Sequence, residues 1–78
     1  MQLNKAREFY KHKLITNFVA VKATPDNWFL SIIGKKDEVW KLKTAKNETK
    51  YFSSLDSLIK EVERITGGVV DVLNIRHK

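Results

Sequence analysis

Residues 53–68 read SSLDSLIKEVERITGG, and their period is helical. Leu55, Leu58, Ile59, Val62 and Ile65 recur at steps of three and four, which gathers them on one stripe. Asp56, Lys60, Glu61, Glu63 and Arg64 take the opposite side, expected to be solvated and laced with ion pairs. Ser53 or Ser54 can accept a hydrogen bond from a free backbone N–H and so start the helix. Asp56 lies near the positive N-terminal end, where a carboxylate is favoured. Gly67-Gly68 ends it, because glycine takes the left-handed cap conformation without penalty. The expectation is one amphipathic helix over about 54–66, which must bury its stripe against another layer.

The flanking sequence supplies that layer as a sheet. After the glycines, VVDVLNI (residues 69–75) is β-branched and reads as a final strand. Upstream, LITNFVAVKA (14–23) alternates in part: Ile15, Val19, Val21 and Ala23 on one side, Leu14, Thr16, Phe18, Ala20 and Lys22 on the other. Thr24-Pro25-Asp26-Asn27 is a turn, since proline fixes φ and Asp and Asn favour bends. Trp28-Phe29-Leu30-Ser31-Ile32-Ile33 and Glu38-Val39-Trp40-Lys41-Leu42-Lys43 flank the polar turn Gly34-Lys35-Lys36-Asp37 and read as a hairpin. Its alternation puts Trp40 and Leu42 inward and Lys41 and Lys43 outward. TAKNET (44–49) is a loop, and Lys50-Tyr51-Phe52 a short strand pairing back on the hairpin. Residues 1–13 form a short helix or a flexible arm, with Leu3, Ala6, Phe9 and Tyr10 as a stripe after a candidate cap at Asn4. The sum is a single α+β domain: an antiparallel β-meander of four to five strands with one helix on one face. The other face is then largely open, and that is where function is sought.

Composition narrows the function. A chain of 78 residues has a small core, which disfavours a deep catalytic pocket. There is no cysteine, hence no disulfide, thiolate metal site or thiol nucleophile. His12 and His77 have no partners at triad or metal-ligand spacing, and Asp37-Glu38 sits in the hairpin turn. The glycine pair follows a helix, whereas phosphate cradles precede one. The chain therefore reads as non-enzymatic, with neither cofactor nor metal. No apolar run reaches the ~20 residues needed to cross a bilayer, and the start lacks the apolar core of a secretory signal. A cytoplasmic location is the expectation.

Fifteen Lys and Arg against nine Asp and Glu give a net charge of +6. The first two-thirds of the chain carries the excess, while residues 53–68 hold three acids against two bases. A cationic surface attracts polyanions through counterion release, so nucleic acid is the leading partner class. The helix is too acidic to enter a DNA groove, which leaves the sheet. Lys41, Lys43 and Lys50, with Lys35 and Lys36 at the hairpin tip, are the candidate phosphate contacts. They are joined on the Lys41/Lys43 side by Phe29, Ser31 and Ile33, or by Trp28, Leu30 and Ile32, according to register. Tyr51, or else Lys50 and Phe52, adds to the same surface. Phe29 or Tyr51 is the candidate for stacking on an unpaired base.

Leu42-Lys43-Thr44-Ala45-Lys46 and Lys50-Tyr51-Phe52-Ser53-Ser54-Leu55-Asp56 together resemble a pattern of short plasmid-borne proteins. There, leucine, any residue, threonine, alanine and a base lead through a turn to a base, any residue, phenylalanine, any residue, serine, leucine and aspartate. The set is similar to partition-associated proteins encoded beside plasmid maintenance genes. It covers residues 42–56 closely and 28–68 loosely, departs at Asn47 where glycine is expected, and has no counterpart over 1–13. The resemblance implies an accessory role in plasmid or mobile-element biology and supplies no catalytic residue. The leading reading is a small accessory protein that binds DNA ahead of RNA, single strands included, through a basic sheet face. The rival is a homodimerisation or partner-protein module of a mobile element without nucleic-acid binding, since sheets with bare faces and edges commonly pair with another chain.

Overall fold

Pro25 and Asp26 make the expected two-residue turn, and the β-prone runs on either side of it pair. The computed structural model describes residues 1–68, 70 and 73–77. In chain order these form α1 (Leu3–Lys11), β1 (Ile15–Thr24), β2 (Asn27–Gly34), β3 (Val39–Lys41), β4 (Tyr51–Phe52), α2 (Leu55–Thr66) and β5 (Leu73–His77). The five strands form one sheet ordered β3-β2-β1-β5, with β4 also paired to β2. β3 lies opposite Ser31, Ile32 and Ile33, and β4 opposite Trp28 and Phe29, so the two short strands share one edge of β2. The class is α+β. One pairing departs from the expected antiparallel meander: β5 runs parallel to β1, from Phe18↔Leu73 to Lys22↔His77. That geometry requires a crossover, and α2 lies on the path between β4 and β5. The final strand ends at His77 rather than at residue 75; positions 69, 71 and 72 of the expected run lie outside the described residues.

Pleat alternation sorts the side chains into two layers. Phe18 and Ala20 of β1, Trp28, Leu30 and Ile32 of β2, Phe52 of β4 and the adjoining Leu42 face the helices. They enclose a core with Ala6, Leu58, Val62 and Ile65. Val19, Val21 and Phe29 form a separate cluster on the other face, flanked by Ala23 and Ile33. Ile15 was expected beside Val19 and Val21, yet it belongs to the helix-side core. The cause is a register shift between Ile15 and Asn17, where an extra residue inverts the alternation.

α2 starts and stops as its sequence dictates. Ser54 Oγ accepts a hydrogen bond from the Ser57 N–H at 3.2 Å, and Gly67 closes the helix at φ 79°. Residues 1–13 contain a true helix rather than a free arm. Asn4 lies inside α1, and the N-cap position falls to Gln2, whose side chain makes no cap bond. Nine residues are too few for an isolated helix, so packing must hold α1 in place. Phe9 meets Trp40 edge-on with ring centroids 5.5 Å apart, and Tyr10 approaches Phe18 at 6.1 Å. The helix layer is therefore a pair, α1 against α2, on one face of the sheet. Among the described residues no helix is long and apolar enough to cross a membrane.

Two turns of one design connect the short strands. Gly34 N–H donates to Glu38 O at 2.7 Å and Asp37 N–H to Gly34 O at 3.1 Å. Ten residues later, Thr44 N–H donates to Glu48 O at 2.7 Å and Asn47 N–H to Thr44 O at 2.9 Å. Asp37 and Asn47 both stand at φ 64°, in the left-handed region that Asp and Asn tolerate better than other non-glycine residues.

Candidate functional site

The register of the four pairings fixes the uncovered face row by row. One row reads Tyr51, Phe29, Val21, Arg76; the next reads Lys41, Ser31, Val19, Asn74; a third reads Val39, Ile33, Asn17. Among these described positions there is no carboxylate. Lys41 Nζ stands 4.8 Å from the centroid of the Phe29 ring, a cation–π contact worth about 0.5–1 kcal/mol on a surface. Tyr51 meets Phe29 edge-on at 6.2 Å. Lys41 and Tyr51 thereby enclose Phe29, which is only 6% exposed, whereas Tyr51 is 54% exposed. Of the two stacking candidates, Tyr51 is the one that presents its ring to solvent.

The seven candidate residues do not form one surface. Lys41, Phe29 and Tyr51 come together on the open face. Lys35 and Lys36 are exposed in the turn after β2, where the Lys36 N–H donates to Glu38 Oε1 at 2.7 Å. Lys43 and Lys50 lie elsewhere, in a groove of about 340 Å³ beside the start of α1 that Gln2, Asn4, Thr44 and Glu61 also line. Lys50 Nζ bonds Glu61 Oε2 at 2.6 Å and sits 5.5 Å from the Phe52 ring, on the helix side of the sheet. Its charge is balanced locally by that carboxylate. Met1 also closes this corner: its ammonium donates to Lys41 O at 2.9 Å, and Lys43 N–H donates to Met1 O at 2.7 Å. Partial burial, then the nearby Lys43 and Lys5 charges, hold that ammonium below its ordinary pKa of 8.0.

Glu61 corrects the sequence reading, which put it on the solvated side of the helix. It is 3% exposed, held by Lys50 and, through Oε1, by Arg64 Nη1 at 3.3 Å. The spacing contained the signal: Leu58, Glu61 and Ile65 follow one another at three and four residues, so Glu61 flanks the apolar stripe. A carboxylate buried there persists only because two cations satisfy it.

A second groove, of about 520 Å³, runs between the two helices and is lined by Arg7, Glu8, Lys11 and Arg64 among others. Glu8 lies 3.4 Å from His12 Nε2, and both side chains are largely exposed, as expected of solvated surface groups. Among the described residues no group of three or more His, Cys, Asp or Glu side chains stands close enough to hold a metal ion. What remains chemically distinctive is the open face, an apolar patch with cations, an exposed phenol ring and, among its described residues, no acid. Comparison with protein-family models, with curated proteins and with solved structures finds none that matches the chain.

Proposed function

We propose that this chain is a non-enzymatic nucleic-acid-binding accessory protein that takes single-stranded DNA on its uncovered sheet face. The observation that carries this reading is the Lys41–Phe29–Tyr51 cluster in a face whose described strand positions hold cations and no carboxylate. Every base has a π-face, so an exposed ring on a cationic sheet recognises unpaired bases without reading their identity, at about 1–3 kcal/mol per stacked base. Tyr51 supplies the ring, while Lys41 in the adjoining row and Arg76 at the far end of the same row reach phosphates. Lys35 and Lys36 extend the positive potential beyond the end of β2. Lys43 and Lys50 contribute at longer range, Lys50 being tied to Glu61. A duplex fits this surface less well, because α1 and α2 pack on the opposite side of the sheet and present no helix from this face to a groove. The setting in a plasmid or other mobile element rests on the resemblance over residues 42–56 alone.

Fluorescence anisotropy with labelled single- and double-stranded oligonucleotides at two salt concentrations tests the proposal. Tyr51→Ala should weaken single-strand binding by about tenfold or more. Lys41→Gln should reduce the salt slope by roughly 0.7 if it removes one single-strand phosphate contact. Absence of binding at low salt, or affinity indifferent to both substitutions, would refute it.

A further inference from the structure

The two edges of the sheet are finished differently. On the β3 side, Met1 lies along the outer edge through its bonds to Lys41 and Lys43, and Gln2 bridges Lys43 in parallel. On the other side β5 ends the strand order, and among the described residues no strand lies beyond it. Nor do the helices shelter it: Ile75, on the helix side, is 54% exposed, and Asn74 and Arg76 on the opposite side are exposed too. A bare row of N–H and C=O groups beside an exposed isoleucine is a template for another strand.

The sequence of β5 indicates which strand. In an antiparallel pair, residues directly opposite each other share a face, so a two-fold axis relating identical strands must pass through a residue position. Centred on Ile75, the axis engages the whole of Leu73–His77. It sets Ile75 against Ile75 and Asn74 against Arg76 of the second copy, an amide oxygen opposite a guanidinium. Centred on Arg76, it would oppose two guanidinium groups, which is destabilising. Centred on Asn74, it would set that amide against its own copy and take it away from Arg76. We propose that the free edge of β5 binds a second copy of this chain, β5 pairing antiparallel with β5 about a two-fold axis through Ile75. The sheet then continues across both copies. Because the axis stands perpendicular to the sheet, both helix layers share one side and both open faces the other. The pairing rests on this edge and not on the nucleic-acid reading.

The absence of cysteine makes a cross-linking test clean. Ile75→Cys places two thiols opposite each other across the axis, where directly opposed Cβ atoms lie about 4.5–5.5 Å apart, close to disulfide reach. Under mild oxidation this variant should link into a dimer about tenfold or more faster than Asn74→Cys, whose symmetry mate lies diagonally across the pair. Unmodified protein in sedimentation equilibrium should rise from 9.1 kDa toward twice that mass with concentration. Ile75→Lys should return it to monomer with an unchanged circular dichroism spectrum, since the position is exposed. Each copy carries +6, so added salt should strengthen the dimer while it weakens oligonucleotide binding, which separates failure of one proposal from failure of the other. A constant monomer mass overturns the pairing and leaves the edge to a strand of different sequence. Equal cross-linking rates for the two cysteine variants overturn it as well, by moving the contact elsewhere.

Discussion

Lys13 closes α1 in a conformation that its side chain opposes. At φ 60° it sits where helices commonly place glycine, with Lys13 N–H bonded to Tyr10 O and Leu14 N–H bonded to Phe9 O. That is a Schellman ending built without glycine. Lys13→Gly should therefore raise stability by roughly 0.5–1 kcal/mol, read as a higher denaturant midpoint at unchanged slope. Gly34 is the converse case. A Cβ there would meet the Trp40 ring at 2.8 Å and Glu38 Oε1 at 2.6 Å, because the indole packs across the bare backbone. Gly34→Ala should cost about 1–3 kcal/mol by overpacking, in the same denaturation assay. Neither requirement was visible in sequence. Lys13 fell in a segment with two open readings, and Gly34 looked like a turn residue, whereas its decisive neighbour is a ring from the adjacent strand.

Helix α2 was legible almost whole, since capping and period depend on neighbours within a turn or two. Glu61, which the sequence put on the solvated side, depends on what lies opposite it across the fold, and Ile59 of the expected stripe stays half-buried at its margin. The three-charge cluster of Lys50, Glu61 and Arg64 sets up a measurable cycle. Lys50→Met alone leaves Glu61 with only Arg64 and should destabilise by about 1–3 kcal/mol, less than a fully buried pair because the Lys50 side chain is 36% exposed. Replacing both, as Lys50→Met with Glu61→Leu, should recover much of that loss, since an apolar pair needs no compensation in the core. A double-mutant cycle in urea gives the coupling directly. The register shift in β1 belongs with this case: local alternation grouped Ile15 with Val19, and the extra residue that regroups it is decided by pairing with β2.

The whole molecule divides into a double-helix side and a bare side, and this division was only half legible. Alternation correctly put Trp40 and Leu42 inward and Lys41 outward, but it could not say that Lys43 and Lys50 leave the sheet surface for a groove beside α1. Chain direction escaped it too, because an amphipathic pattern reads the same in a parallel and an antiparallel strand. Basic groups occur on both sides of the molecule, so net charge alone does not choose a binding surface. Comparing two variants does. Removing Arg7 and Lys11 together, as Arg7→Gln with Lys11→Gln, takes two charges from the helix-side groove. It should alter single-strand affinity less than Lys41→Gln, measured at one low salt concentration, because those charges lie away from the stacking ring.

The parallel pairing of β1 with β5 also has a consequence in time. Phe18 and Leu73 are joined only after β2, β3, β4 and α2 have been traversed, so this ladder closes the largest loop among the strand pairings. The β1–β2 hairpin can form at once, and the helix stripe can settle on it before β5 arrives. In the unpaired chain, at concentrations too low for β5 to meet a second copy, β5 should then dock last in refolding and open first in native-state hydrogen exchange, its amides following a smaller opening free energy than those of Phe18 to Val21 toward β2. The strand that completes the sheet would thus also be its most readily surrendered part.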